Sequence, residues 1–299
     1  MTRRRCWAVS TGRAPPTIRC PYSRRWRLAG RDTLAIIIVT FNSVDEIEPC
    51  LRGLVGSTDP FPTTITVVDN GSTDETVAHV RQQWPTVQVI ETGGNLGFAK
   101  ANNLGIRATT SDYVLLINPD TEAPPGAIQT LIRGLAAHPE AAIAGARLLT
   151  QRGFPELSWG PAIGPWNEIT QMLFTRLYHG KIRRVVRKMD KLSRQAREVP
   201  WVSGACMAIR RPDLEAVGLL DERYFMYYED VDLCVEMAKR DRHTLYVASA
   251  EVLHHRGRSA PKNPRLERMR QDSHLAYYQK HLPHWTPLLK AYLMLTGKL

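Results

Sequence analysis

Four short stretches of the 299-residue chain carry side chains that can do chemistry. Asn118-Pro119-Asp120 sets two hard oxygen donors two residues apart, suited to Mg²⁺ or Mn²⁺ and, through such an ion, to a diphosphate. The same three residue types also make an ordinary turn. Glu229-Asp230-Val231-Asp232 crowds three carboxylates at the start of an expected helix, where acid also stabilises the positive end of the helix dipole. Crowded like charges raise one another's pKa, and a carboxylate so shifted suits a general base acting on a hydroxyl. His254-His255 follows a short strand and can complete a divalent-metal site begun by Asn118 and Asp120. Asp69 ends another strand, where it can accept from the ring N–H of uracil or thymine, or cap the next helix. Thr40 and Asn42 are placed to line the same pocket.

The elements that must deliver these groups are legible in the apolar pattern. Continuous β-branched and apolar runs at 34–40 and 113–117 read as strands buried on both faces, and 64–69 and 87–90 read as further strands. Between and after them, the pattern predicts helices over 45–55, 74–84, 98–108 and 125–137. Strict alternation of strand and helix makes the first half a parallel sheet covered on both faces. Pro119 lacks the N–H a ladder needs, so the 113–117 strand stops there and hands Asn118 and Asp120 to the sheet's carboxyl edge. In open α/β sheets ligands bind at that edge. Residues 199–210 read as a strand with small Ser203, Gly204 and Ala205 at its middle, which let a sugar approach the backbone or mark a bulge. A short helix over 211–220, a helix ending near Lys239, a strand over 244–247 and a basic helical tail complete the pattern.

Composition excludes several classes. No apolar run approaches the roughly 18 residues of a membrane span, and five unpaired-looking cysteines point to a reducing, cytoplasmic setting. The net charge is +11, but residues 1–31 carry nine arginines and no acid. Residues 152–198 hold ten basic and four acidic residues, and 261–299 hold seven and two, which leaves the core at −9. A nucleic-acid binder more often concentrates positive charge on the folded domain; basic additions around an acidic core suit an anionic membrane or a phosphate-bearing acceptor. The expected organisation is a disordered extension (1–31), a catalytic domain (32–260) containing a basic helical insertion (155–198), and a helical C-terminal segment (261–299). Apolar residues recur at helical spacing from 166 to 197, with Arg183, Arg184, Arg187 and Lys188 among them. That segment is either an ordinary surface insertion or an interfacial helix dipping Leu173, Leu177 and Val186 into a bilayer. A dinucleotide-binding dehydrogenase would need G-x-G-x-x-G after the first strand, where this chain has Thr40-Phe-Asn-Ser-Val44.

Read together, Ile36-Ile-Ile-Val-Thr-Phe-Asn42, Val67-Val-Asp-Asn-Gly-Ser-Thr-Asp74, Gly94-Asn-Leu-Gly-Phe-Ala-Lys-Ala-Asn-Asn103, Asn118-Pro-Asp120, Ser203-Gly-Ala205, Asp221-Glu-Arg-Tyr-Phe225, Glu229-Asp-Val-Asp-Leu233 and His254-His-Arg-Gly-Arg-Ser259 resemble family 2 glycosyltransferases. The likeness runs in order over about 34–260 and is nearest to the rhamnosyltransferase-like branch. It implies a GT-A fold: a Rossmann-like, mostly parallel α/β sheet flanked by helices. It further implies a nucleotide-sugar donor, a divalent metal and inversion at the anomeric carbon. On that resemblance Asp69 contacts the base, and Asn95, Asn102 and Gly204 shape the donor pocket. Asp120 is the main metal ligand, with Asn118 standing where members carry Asp, and His254 reaches the metal or diphosphate ahead of His255. Asp230 is the catalytic base, supported by Asp232 and Glu229. The acceptor expected is a cell-envelope glycan or a polyprenyl-diphosphate-linked sugar, and the donor dTDP-L-rhamnose. Galactofuranose, glucose and N-acetylglucosamine transfer, a nucleotidyltransferase and a degenerate sugar-binding relative are the rivals.

Overall fold

The computed structural model describes residues 32–255 and 264–297. The expected 1–31 extension lies outside the described residues, as does the Arg256-Gly-Arg-Ser259 end of the last motif.

The chain begins with β1 (Leu34–Thr40), α1 (Val44–Leu54), β2 (Thr63–Asp69), α2 (Thr76–Gln83), β3 (Gln88–Glu91), α3 (Phe98–Arg107), β4 (Tyr113–Ile117), β5 (Thr121–Glu122) and α4 (Ala127–Ala136). Then come β6 (Ala141–Leu149), β7 (Trp159–Gly160), α5 (Pro165–His179), α6 (Arg183–Ser193), β8 (Arg197–Glu198), β9 (Trp201–Val202) and β10 (Cys206–Arg210). The rest is α7 (Arg211–Ala216), α8 (Glu229–Ala238), β11 (His243–His254), α9 (Pro264–His281) and α10 (Thr286–Leu295). One sheet carries the site, in the order β3-β2-β1-β4-β10-β6-β11-β5, with β8 also on β11.

The period-2 geometry of β1 divides the core into two layers. Leu34, Ile36 and Ile38 pack with Ile47, Leu51 and Leu54 of α1 and with Ile128, Leu131 and Leu135 of α4. Ala35, Ile37 and Val39 pack on the opposite face with Ile106 of α3 and Leu233, Cys234 and Met237 of α8. Both faces of β1 are therefore dry, which is why its sequence is apolar without alternation. A third cluster, Tyr224, Val231, Tyr277, Tyr278, Leu289 and Leu293, docks α9 and α10 beside α8.

Four features were not legible in the sequence pattern. β6 was not anticipated: Ala141-Ala-Ile-Ala-Gly-Ala146 has little intrinsic strand preference. It is a strand because it lies between two others. β10 runs antiparallel to both β4 and β6, so the mostly parallel sheet carries an antiparallel strand at its centre. The expected strands at 244–247 and near 252 are one twelve-residue β11, parallel to β6 with a register shift between Val247 and Glu251. The single helical run over 166–197 is two helices, α5 and α6, broken at Gly180-Lys181, where Lys181 takes a left-handed φ of 57°.

Candidate active site

β4 ends as expected, and Asn118 opens a tight turn: its carbonyl accepts the Thr121 N–H at 3.2 Å and the Thr121 hydroxyl at 2.6 Å. The turn is fixed to β11, because the His255 N–H donates to the Asp120 carbonyl at 2.7 Å. His254 and His255 point to opposite faces, as neighbours on a strand must. The His254 ring is buried, with Nε2 3.2 Å from Asp120 Oδ1 and Nδ1 2.9 Å from Glu156 Oε2. His255 instead contacts Glu122 at 3.1 Å and Gln151 at 2.9 Å. Of the two histidines only His254 faces Asp120. Burial opposes its charge, but Asp120 and Glu156 outweigh burial and raise its pKa to about 9.

Asn118 Oδ1 is buried and has no hydrogen-bond partner among the described residues. An orphaned amide oxygen costs stability unless something else satisfies it. An amide oxygen, a carboxylate and an imidazole form a donor set that fits Mg²⁺ or Mn²⁺. The chemistry of these residues therefore fits a divalent ion.

Asp230 lies in the first turn of α8. Its Oδ2 accepts the Gly204 N–H at 2.8 Å, and Oδ1 accepts the Val231 N–H at 2.8 Å. A Cβ on residue 204 would sit in ordinary contact with Asp230 Cβ, at 3.4 Å. Burial pushes the Asp230 carboxyl above the usual range despite those N–H donors. Glu229 is buried with Oε2 unpartnered among the described residues; burial, then the charges of Asp230 and Asp232, raise its pKa well above normal. Two consecutive left-handed residues, Tyr227 (φ 71°) and Tyr228 (φ 70°), precede the helix. Non-glycine residues hold this conformation only under constraint, supplied here by Tyr228 stacking on His274 of α9 at 5.1 Å.

Asp232 departs from its expected supporting role toward Asp230. Residues two apart on a helix do not share a face, and Asp232 faces α9. It binds His281 at 2.6 Å, Lys280 at 2.8 Å and the Tyr224 hydroxyl at 3.0 Å. Burial alone would raise its pKa, but these three partners together hold it below the usual range.

Asp69 is buried at the end of β2, where Oδ2 accepts the Gly71 and Ser72 N–H groups at 3.2 and 3.0 Å and Oδ1 accepts from Thr40 at 3.2 Å. Asn42 Oδ1 accepts the Thr73 N–H at 2.8 Å, so β1 and β2 end in one knitted pair of loops. Asn95 Oδ1 accepts from Asn70 Nδ2 at 3.0 Å, which ties the third loop to the second. Gly97, with φ 86°, closes that loop; a side chain there would strike the Phe225 carbonyl, 2.5 Å from the added carbon. Asn102 is a correction to the donor-pocket set. It is buried inside α3 and donates its amide to Phe98 O at 2.9 Å, so it packs the helix rather than opening to the edge.

Sequence reasoning missed Glu156. It lies on a hairpin after β6, its N–H donating to Leu148 O at 2.9 Å. Ninety-eight residues separate it from His254, and no spacing links them. Lys280 and His281 were also missed, hidden in a tail that reads only as basic and helical.

The profile of Glycosyl transferase family 2 matches residues 35–218. The chain is 33% identical over 264 residues to N-acetylglucosaminyl-diphospho-decaprenol L-rhamnosyltransferase of Mycobacterium tuberculosis, covering 83% of this chain and 82% of that one. It is 25% identical over 227 residues to rhamnosyltransferase WbbL of Escherichia coli, covering 74% and 82%. Among solved structures, mannosyltransferase PcManGT from Pyrobaculum calidifontis, in complex with GDP-Man and Mn²⁺, aligns with a TM-score of 0.58 at 18% identity, over 88% of this chain and 69% of that one. Glucosyl-3-phosphoglycerate synthase of Mycobacterium tuberculosis, with Mn²⁺ and UDP, aligns with a TM-score of 0.56 at 17% identity, over 83% and 79%.

Proposed function

Because the chain belongs to glycosyl transferase family 2 and carries its GT-A fold, we propose that it moves L-rhamnose from dTDP-rhamnose to an N-acetylglucosamine hydroxyl on a polyprenyl-diphosphate carrier, with inversion. It is a hexosyltransferase; the sugar and acceptor follow the rhamnosyltransferase relatives.

One observation carries the reading. The candidate metal centre and the candidate base are hydrogen-bonded to the same three-residue segment. Ala205 O accepts the Asn118 N–H at 3.0 Å, and Gly204 N–H donates to Asp230 at 2.8 Å. A diphosphate leaving group and an acceptor hydroxyl held at these two points would flank one anomeric carbon.

Asn118, Asp120 and His254 would hold Mg²⁺ or Mn²⁺. Such an ion, when bound, neutralises charge on a departing nucleoside diphosphate. The loops after β1, β2 and β3, through Thr40, Asn42, Asp69 and Asn95, would hold the nucleoside. Asp230, ionised, takes the proton of the acceptor hydroxyl as its oxygen attacks the anomeric carbon opposite the leaving group. No covalent sugar intermediate is formed. Gly204 keeps Asp230 aimed, and burial together with the Asp230 charge raises the pKa of Glu229 beside it.

The acceptor's lipid carrier calls for a membrane. No helix among the described residues is long and apolar enough to cross one, and the reading is peripheral contact with the cytoplasmic leaflet. α5 exposes Trp166, Ile169, Met172 and Leu173, and α6 exposes Arg183, Arg184, Arg187 and Lys188 beside them. α10 exposes Leu288, Tyr292 and Leu295 one or two turns apart. Val186, expected to dip into lipid, is half-buried, so the apolar contact falls to α5 and α10. Basic residues near an anionic surface contribute about 1 kcal/mol each. Replacing Arg183, Arg184, Arg187 and Lys188 by Gln is expected to release the protein from anionic liposomes in sedimentation. Equal binding to neutral and anionic vesicles, or binding to neither, would remove the membrane role.

The catalytic reading is tested with a donor panel (dTDP-rhamnose and other nucleotide sugars), a polyprenyl-diphosphate N-acetylglucosamine acceptor, and Mg²⁺, Mn²⁺ or chelator. Metal-dependent release of dTDP is the expected result. Release of another nucleotide would move the assignment to another sugar.

A further inference from the structure

We infer that Glu156 is a positioning residue of the metal centre: its carboxylate accepts the Nδ1 proton of His254 and so fixes the ring with Nε2 turned toward Asp120. The inference rests on the metal reading above.

Each ring nitrogen of His254 faces its own carboxylate. His254 Nδ1 lies 2.9 Å from Glu156 Oε2, and Nε2 lies 3.2 Å from Asp120 Oδ1. Both side chains of the His254–Glu156 pair are 5–6% exposed, so water does not compete for either ring nitrogen. An imidazole can coordinate a cation only through a nitrogen that has lost its proton, and which nitrogen is free depends on what the other one donates to. A carboxylate on Nδ1 assigns the free lone pair to Nε2 and makes it a stronger donor than a carbonyl partner would.

Glu156 is itself held rigidly. Its N–H donates to Leu148 O at 2.9 Å, and its carbonyl accepts the Ser158 N–H at 2.9 Å. The preceding Pro155 carbonyl accepts the Tyr178 hydroxyl from α5 at 2.7 Å. Leu148 is paired with Val252 of β11, two residues before His254. The hairpin after β6 is thus registered against the strand that ends in His254, which fixes where the Glu156 backbone lies relative to that ring. Other polar groups that meet this ring's neighbourhood have their own partners: His255 binds Glu122 and Gln151.

The test is Mn²⁺ titrated into the full chain and followed by EPR, with thermal melting as a control for folding. Four proteins are compared: wild type, Glu156→Ala, His254→Ala and the double variant. Outer carboxylates on ligating histidines typically change metal affinity by about 10–100-fold, and Glu156→Ala is expected to weaken Mn²⁺ binding by that factor. With His254 already removed, Glu156→Ala is expected to change nothing further, because its effect runs through that ring. Glu156→Gln, which keeps the shape of the side chain without its charge, is expected to fall between wild type and Glu156→Ala, and it replaces Glu156→Ala should that variant fail to fold. Unchanged Mn²⁺ affinity in either Glu156 variant would overturn the inference. An equal loss from Glu156→Ala with and without His254 would do the same, since that is what general loosening gives. Failure of wild type to take up Mn²⁺ would instead overturn the metal centre itself.

Discussion

Two acidic clusters grow from one four-residue motif, and they are opposites. Asp230 turns toward the sheet edge, where its hydrogen-bond partners among the described residues are backbone N–H groups. Asp232 turns toward α9, where an ammonium, an imidazole and a phenol surround it. The second cluster even has the look of a metal site, with ligand atoms of Asp232, Glu236 and His281 within 4.8 Å of one another. Lys280 already sits there, 2.8 Å from Asp232, 2.8 Å from Asp221 and 3.5 Å from Glu236. The edge cluster leaves Asn118 Oδ1 and Glu229 Oε2 without partners among the described residues. Carboxylates that have been neutralised from within hold elements together. Polar groups left unsatisfied in a buried edge are set for something from outside. The pKa directions agree: Asp230 is raised by burial, while Asp232 is lowered, despite burial, by its hydrogen bonds to His281, Lys280 and Tyr224 and by the Lys280 charge.

The contrast can be broken by mutation. Asp120→Ala removes the charged member of the edge site and is expected to abolish metal-dependent transfer; near-normal turnover with metal dependence intact would dissolve the distinction. Asp230→Asn keeps the shape and loses the base, so transfer should fall roughly 10²–10⁴-fold while nucleotide binding, read by calorimetry, survives. Asp232→Asn should do the reverse. Removing one partner of a buried pair costs about 3 kcal/mol, seen as a lower denaturant midpoint, with transfer reduced less than in Asp230→Asn. If Asp232→Asn proves the more damaging to turnover at temperatures where it stays folded, the two roles have been exchanged.

Acid should separate the clusters as well. Asp230 acts only when ionised, and its pKa is raised, so activity is lost as pH falls through a value above the ordinary carboxylate range. Protonating it costs no stability, because burial favours the neutral form. Asp232 is lowered in the folded state, so its contribution is fully present above the unfolded value of about 3.9 and is lost only as pH falls through the lower folded value. A pH series should therefore show activity failing before α9 loosens, with circular dichroism tracking the second event; simultaneous loss would count against the assignment. The smallest effect is expected from Asn118→Asp. It adds a carboxylate beside Asp120 and should leave transfer intact while tightening Mn²⁺, measured by the same EPR titration. Loss of activity there would mean that the amide oxygen's neutrality matters.

Local pattern was enough for β1 to β4 and their helices: β1 and β4, buried on both faces, are apolar throughout, Pro119 ends β4, and short β-branched runs between helical stretches mark β2 and the more exposed β3. It was also enough to name Asn118, Asp120, Asp230 and His254 as candidates, since residue type limits what a side chain can ligate or deprotonate. Pairing partners were not legible. β6 is alanine-rich and becomes a strand only because β10 and β11 flank it, and the direction of β10 depends on where the chain re-enters the sheet. Glu156 reaches His254 across a fold that no spacing records. Asp230 and Asp232 are the same residue type two positions apart, so residue type and spacing do not rank them; only the family resemblance put Asp230 first. The helical step turns one toward Gly204 and the other toward Lys280, and those partners, not the carboxylates themselves, decide which lies at the sheet edge as the proposed base and which fastens the C-terminal helix.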